Sequence, residues 1–378
     1  MVDDLTKRFL IVTGEASGDR HAARLVEAVS RIGAARWEGI AGPELRACGV
    51  AALERAEDLA VIGFSGILAR LPRLFAARDR VLRAYEASRP DAVVLVDYPG
   101  FNLRLGPELK ARGAKVFYYI APQVWAWHPE RAREMARWVD ALAVVFPFEE
   151  AIFRNAGVRV TYVGHPLLDD LHAEVSPDEL RRSLGIPDTA RLLGLLPGSR
   201  RQELARHLAP LLETARELQR SRADLHAVVA CAPGMRDDPA LRGASGPRLH
   251  VIEGRTHAIQ QAATACAVAS GTATLETALF ATPLVVLYRT GWLNYLLARR
   301  LVTIGRIGLP NIVAGEDVVP ELVQDALTPE RLMALLVPWL DDPTQRAACV
   351  QRLARVRERL GHGGAAQGAA RVLWELAS

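Results

Sequence analysis

Uniformly apolar runs of six to eight residues recur along the chain, separated by stretches whose apolar positions fall at helical spacing. In the first half they are FLIVTG (9–14), AVVLVD (92–97), KVFYYIA (115–121), ALAVVF (141–146) and RVTYVG (159–164). In the second half they are RLLGLLPG (191–198), LHAVVACA (225–232), RLHVIEG (248–254), ACAVAS (265–270) and PLVVLY (283–288). Strands buried on both faces read this way, whereas half-solvated strands alternate. Between the runs, Ala22, Leu25, Val26 and Val29, and later Leu204, Leu208, Leu211, Leu212 and Ala215, mark amphipathic helices. Repeated strand-helix-strand order predicts an α/β chain of parallel sheets with helices on both faces.

The pattern pauses over residues 165–190, which contain His165-Pro166, Ser176-Pro177 and Gly185-Ile186-Pro187, and then restarts. A length of 378 residues accommodates two domains. The expected division is 1–170, 171–343, and a helical C-terminal segment 344–378 carrying Leu353, Val356, Leu360, Val372, Leu373 and Leu376. Which domain or subunit that last segment packs on is left open. Two doubly wound domains facing a cleft would place their ligands at the carboxyl ends of the strands.

Composition narrows the class. Lys and Arg number 47 against 43 Asp and Glu, a net charge of +4 that does not call for a nucleic-acid partner. With 50% apolar and 24% charged residues the chain is neither disordered nor fibrous. Cys48, Cys231, Cys266 and Cys349 are scattered without metal-like spacing and read as small apolar residues. The N-terminus is acidic before a short apolar run, which is not a signal peptide, and no stretch approaches the ~20 apolar residues of a membrane span. The expectation is a cytoplasmic chain whose membrane contact is peripheral. Nine histidines without an H-E-x-x-H or an acidic cluster predict no metal site.

Four loops that follow predicted strands carry candidate chemistry. In Gly14-Glu15-Ala16-Ser17-Gly18-Asp19, Ser17 or Asp19 is placed to cap the next helix. Glu15 at that entrance would repel a phosphate, so the loop suits either plain capping or a hydroxyl-bearing acceptor. Asp97, at a strand tip before Tyr98-Pro99-Gly100, is either a turn former or a general base. Pro197-Gly198-Ser199-Arg200-Arg201 offers helix-start amides, a capping Ser199 and two guanidinium groups, an anion site. In Ser270-Gly271-Thr272-Ala273-Thr274-Leu275-Glu276, hydroxyls and turn amides suit phosphate oxygens, and Glu276 suits a vicinal diol such as ribose or a capping role. Two phosphate-compatible loops and a diol-reading acid in one domain point to a nucleoside diphosphate. No G-x-G-x-x-G follows any strand, which argues against a dinucleotide enzyme.

Taken in order, GEASGD (14–19), DYPGFNLRL (97–105), APQVWAW (121–127), FPFEEAIF (146–153), VGHPLLD (163–169), LLPGSRRQE (195–203), ASGTATLE (269–276) and LPNIVAG (309–315) resemble the motifs of the lipid-A-disaccharide synthases. The resemblance implies a GT-B architecture of two Rossmann-like domains, acceptor on the first and nucleotide-sugar on the second. It implies inverting transfer from UDP-2,3-diacylglucosamine to 2,3-diacylglucosamine 1-phosphate (lipid X), with release of UDP. The UDP-sugar is a substrate, and neither cofactor nor metal is implied. Carried onto this sequence, Asp97 is the base with Glu15 as supporting or alternative acid, and Arg200 stabilises the leaving diphosphate. Ser199, Arg200, Arg201, Ser270, Gly271, Thr272, Glu276 and Asn311 form the expected UDP site. Rival readings are another UDP-sugar enzyme of the same architecture, such as an epimerase, and a non-catalytic nucleotide-sugar binder.

One departure stands out. Where many relatives carry a Glu in a V-M-G-x-x-E-V-L string, this chain has Gly66, which cannot supply that carboxylate. Acylated substrates also require access to the inner membrane surface. Ile67, Leu68, Leu71, Leu74, Phe75, Leu82 and Tyr85 form a helix-period stripe beside Arg70, Arg73, Arg78, Arg80 and Arg83. The stripe is readable as a membrane-facing patch or as an inward-packing face. A second apolar and basic segment runs over residues 292–306, and Trp125 and Trp127 are candidates for an acyl groove. Members of the family are intertwined homodimers that exchange C-terminal parts, so a homodimer is a further expectation.

Overall fold

The computed structural model describes residues 6–59, 67–124, 130–291 and 305–378. Seven strands form the first sheet: β1 (Lys7–Val12), β2 (Ala35–Ala41), β3 (Ala51–Arg55), β4 (Ala92–Val96), β5 (Val116–Tyr119), β6 (Ala141–Val144) and β7 (Val160–Tyr162). Six form the second: β8 (Arg191–Leu196), β9 (Leu225–Cys231), β10 (Leu249–Glu253), β11 (Ala265–Ala269), β12 (Leu284–Tyr288) and β13 (Glu321–Val323). Both are wholly parallel, in the orders β3-β2-β1-β4-β5-β6-β7 and β10-β9-β8-β11-β12-β13. Each is doubly wound and reverses direction beside its first strand, at β1/β4 and at β8/β11. Those switch points are where ligands of such sheets bind.

Most of the apolar runs became interior strands covered by helices on both faces, but the runs at 159–164 and 248–254 became the edge strands β7 and β10, which are partly exposed rather than buried on both faces. Phe9, Leu10, Ile11 and Val12 of β1 and all of β4 are essentially inaccessible to solvent. The reading from sequence missed β2, β3 and β13. Strands β3 and β13 are short edges, and the first half of β2 is partly exposed, so none shows a continuous apolar run. Gly39 in β2 is required by close approach, since a Cβ there would fall 1.8 Å from the Ile11 carbonyl oxygen of β1.

The chain divides into two units: residues up to Asp169 together with Gly361–Ser378, and Asp170–Leu360. The C-terminal segment is therefore shared. Helix Pro343–Leu360 belongs to the second unit, burying Cys349, Leu353, Val356 and Leu360. Helix Ala365–Ala377 packs on helix Ala16–Ser30 of the first. Its return is pinned by the His165 amide donating to the His362 carbonyl (2.9 Å) and the Gly364 amide donating to Asp169 Oδ2 (2.7 Å). Among the described residues no helix is long and apolar enough to cross a membrane. The cysteines are free, three buried and Cys48 half-buried.

Candidate active site

At the switch point of the first sheet, β4 ends in a strained turn. Asp97 and Tyr98 are consecutive non-glycine residues in the left-handed region, with φ of 46° and 49°. Ile120, just past neighbouring β5, joins them at φ 64°. Such conformations cost on the order of 1–3 kcal/mol each and persist only where their surroundings hold them. Here the hold is explicit. The Asp97 amide donates to the Tyr119 carbonyl (3.0 Å), and its own carbonyl accepts from Asn102 Nδ2 and the Tyr118 hydroxyl, both at 2.7 Å. The turn thereby projects the Asp97 carboxyl from the strand tip while its backbone is fixed on three sides.

Burial, reinforced by the facing Glu15 carboxylate, raises the Asp97 pKa to about 6, against the pull of a hydrogen bond from the Tyr98 amide. Glu15 itself is exposed and serves as the N-cap residue of helix Ala16–Ser30. The expected capping by Ser17 or Asp19 is corrected on that point. Asp19 is buried and accepts from the Gly42 and Glu44 amides (2.7 and 2.8 Å), so it caps helix Pro43–Ala47 instead. Its carboxylate takes the orphan donors of that helix start, which its own helix does not present to it.

In the second unit, β8 and β11 pair side by side, so the loops after them are neighbours. The expectation of a capping Ser199 with free helix-start amides needs correction. The N-cap residue of helix Arg201–Ser221 is Arg200, and the Glu203 carboxylate folds back to accept from the Ser199 and Arg200 amides (2.9 and 3.2 Å). A phosphate using those amides must displace Glu203. Gly198, at φ 115°, is required here because a Cβ would fall 2.4 Å from that carboxylate. Arg200 and Arg201 extend into solvent, paired with Glu203 and Asp238 at 3.5 Å each. The loop after β11 is more open. Gly271 and Thr272 are exposed, and the first-turn amides of Thr272 and Ala273 have no acceptor among the described residues. Ser270 is anchored, its amide to Leu287 and its hydroxyl to Ile307.

Asn311 departs from the expected direct nucleotide contact. It is 1% exposed, donates to Val319 O and Glu321 Oε1, and accepts from the Val318 and Val319 amides. All four hydrogen-bonding positions of its amide are filled, so it pins helix Leu309–Ala314 to the segment leading into β13. Glu276 is in place on helix Thr272–Leu279, but its carboxylate stands 3.5 Å from His257 Nε2.

Three positioning residues escaped the sequence reading. Buried His207 receives the Arg289 amide at Nε2 (3.0 Å) and approaches the Pro197 carbonyl with Nδ1 (2.9 Å), tying the β8 loop to the end of β12. His257 lies 2.9 Å from the His172 carbonyl through Nδ1 and faces Glu276 through Nε2. Glu321 accepts from the Ile307 and Gly308 amides. Isolated His and Glu residues carry no motif, so no local signal marks them.

Of the apolar stripe, Leu82 and Tyr85 are buried in the core of the first unit and Leu74 packs against it, which is the inward reading. Phe75 is 49% exposed, with the Arg78 guanidinium 5.3 Å from its ring centroid. Gly66, Trp125, Trp127 and residues 292–304 lie outside the described residues, as do the side chains of Ile67 and Leu68. Among the described residues no group of three or more His, Cys, Asp or Glu is arranged to hold a metal ion.

Comparison with known proteins gives the family and the fold. The family model described as Lipid-A-disaccharide synthetase matches residues 9–367. The chain is 43% identical over 371 residues to a lipid-A-disaccharide synthase of Syntrophus aciditrophicus, covering 97% of this chain and 96% of that one. It is 40% identical over 374 residues to that of Geobacter metallireducens, covering 98% and 97%. Among solved structures, the calicheamicin glycosyltransferase CalG4 superposes with a TM-score of 0.60 at 19% identity, covering 98% of both chains. UDP-GlcNAc 2-epimerase from Neisseria meningitidis gives 0.59 at 11% identity, covering 98% of this chain and 99% of that one. At such identities the structural likeness establishes the GT-B fold alone.

Proposed function

The chain belongs to the lipid-A-disaccharide synthetase family, and on that premise we propose how its residues carry out the reaction. It is a glycosyltransferase of lipid A biosynthesis that forms the lipid A disaccharide. The donor is UDP-2,3-diacylglucosamine, held by the second unit. The acceptor is lipid X, held by the first. Asp97 takes the proton from the acceptor's 6-hydroxyl as that oxygen attacks the anomeric carbon. The bond from that carbon to the diphosphate breaks with inversion, its electron pair stays on the phosphate oxygen, and UDP departs.

The observation that carries this reading is the Asp97 turn. A carboxyl held at a switch point by a strained, fully hydrogen-bonded backbone, with a pKa near 6, is ionised yet basic enough to accept a proton at neutral pH. Burial, and to a lesser degree Glu15, keeps that pKa up, and Glu15 stands as the alternative acid. On the donor side, the exposed guanidinium of Arg200 and the amides of Thr272 and Ala273 receive the growing diphosphate charge. Arg201 shares the Arg200 role, and Ser270 and Gly271 shape the phosphate loop. Glu276 accepts from the ribose hydroxyls. Ser199 contributes once Glu203 releases its amide, and Asn311 acts by holding its loop. The exposed Phe75 with its neighbouring arginines provides peripheral contact with the inner membrane surface from the cytoplasmic side. A homodimer is part of the same proposal.

The test is product analysis by mass spectrometry with UDP-2,3-diacylglucosamine and lipid X, with and without chelator. Asp97→Ala is expected to lower the rate about 10²–10⁴-fold, and Arg200→Ala about 10²–10³-fold. Near-normal disaccharide formation by both folded variants would overturn the assignment.

A further inference from the structure

Helix Pro99–Ala111 begins at the Asp97 turn and has an open groove along one side. The groove has a volume of about 780 Å³, within the range of small-ligand sites. Its lining includes Pro99 and Gly100 in the first helical turn, then positions down to Ala111, which at 1.5 Å per residue is about 18 Å of helix. The opposite wall comes from helix Glu130–Met135 and the residues just after it.

The floor is apolar. Met135 and Trp138 are 1% and 6% exposed, and Leu103 and Pro107 border them. The indole of Trp138 lies so close to the helix that a Cβ on Gly106 would fall 2.1 Å from it. That contact makes the floor one continuous wall rather than two separated helix faces. The rim is cationic. Arg104, Arg131 and Arg137 are exposed at the groove, and none forms an ion pair with another described residue. Lys110 is there too, already paired with Asp140, and Glu134 is the single acid of the lining.

An apolar channel about 18 Å long, edged by guanidinium groups with no ion-pair partner among the described residues, matches an anionic amphiphile in both its parts. We infer that this groove is the subsite for an acyl chain and phosphate of the acceptor, which enters with its reactive hydroxyl at Asp97 and its chain along Leu103, Pro107 and Trp138. The inference rests on Asp97 marking the acceptor end of the reaction. The phosphate meets Arg104 and Arg131, for which fork-shaped donors are well suited. Free acyl phosphate, membrane phospholipid and acceptor share this chemistry, and the acceptor is the occupant.

The test uses the full chain and monododecyl phosphate as probe, titrated by calorimetry. An Arg104→Glu, Arg131→Glu double variant and a separate Pro107→Glu variant alter exposed side chains only. Each is expected to weaken the probe about tenfold or more, the scale of a lost charged contact. The KM for lipid X dispersed in detergent is expected to rise by a similar factor, with the KM for the donor unchanged. Unaltered probe binding and lipid X KM would overturn the subsite. So would weaker binding to anionic vesicles with an unchanged lipid X KM, which would assign the groove to membrane lipid. Equal sensitivity of inorganic phosphate and of the probe would reduce it to an anion site without a chain. Because the calorimetry needs no turnover, a wild-type chain that bound the probe yet made no disaccharide would count against the proposed reaction and not against the groove.

Discussion

The ring of Tyr98 occupies the space above Gly14, so that a Cβ built on Gly14 would fall 2.3 Å from Cδ1 of that ring. Two loops distant in sequence therefore share one surface at the β1/β4 switch point, and the glycine is what admits the aromatic side chain. Gly14→Ala must push Tyr98 out of its left-handed turn and shift Asp97 with it. The variant is expected to lose about 1–3 kcal/mol of stability, the usual penalty of overpacking. Its turnover should fall about a hundredfold, as misplacement of a catalytic group does. Denaturant melts and initial rates on one preparation check both.

The raised pKa of Asp97 has a stability consequence of definite sign. Between the unfolded value near 3.8 and the folded value of about 6, the native chain keeps a proton that the unfolded chain has released. Stability from this group is fully present below 3.8 and is lost as pH rises through 6, by up to about 3 kcal/mol. Asp97→Asn is accordingly expected to melt higher than wild type at pH 7 while losing activity. The kcat/KM profile should show an acidic limb near pH 6, moving lower in Glu15→Gln as the repelling charge is removed. Burial is the larger cause, so the limb should stay above the ordinary carboxylate range.

His207 links the Pro197 carbonyl to the Arg289 amide from a buried position. His207→Ala leaves both without a partner, with an expected loss of about 2–4 kcal/mol from two groups. Burial lowers the pKa of this imidazole, so its contribution is present above pH 6.5 and is lost as pH falls below it. Melting temperatures of wild type and variant should converge on acidification. A gap that widened toward low pH would contradict the neutral tautomer.

The His257 pKa is raised, first by its hydrogen bond to Glu276 and further by the nearby Glu276 and Glu174 charges. The sign here is the reverse of His207. The contribution is fully present below pH 6.5 and disappears as pH rises through the folded pKa. Glu276→Gln should flatten this dependence, with a loss of about 1 kcal/mol at pH 6. It should also weaken UDP about tenfold, the scale of one charged hydrogen bond. Melts from pH 6 to 9 and UDP titration read the two effects separately.

Phe75 is one of two exposed large apolar side chains among the described residues, the other being Ile32. Phe75→Glu is expected to reduce pelleting with anionic vesicles several-fold while shifting stability by less than about 0.5 kcal/mol. Leu74→Glu is the contrasting control, because Leu74 packs against the core and its loss should appear in the melt.

The two parallel α/β sheets and the loops after their strands were legible in the sequence, because both depend on local signals. A short continuous apolar run such as 92–96, bounded by turn residues and repeated between helical patterns, reads as a strand covered on both faces, and the turns after such strands sit at the ligand-binding edge of a doubly wound sheet. The positions of the proposed acceptor carboxylate and phosphate loops follow from that, and the family is legible in motifs such as 97–105 and 195–203. What the tertiary structure decided is which partner each polar group finds. Asp19 caps a helix 24 residues away, Glu203 occupies the amides expected to be free, Asn311 is saturated by its own loop, and His257 is joined to Glu276. Apolar burial is non-directional, so pattern alone predicts it. Hydrogen bonds and charge pairs act at about 3 Å and at set angles, and such contacts between residues far apart in the chain exist only once the fold has brought them together.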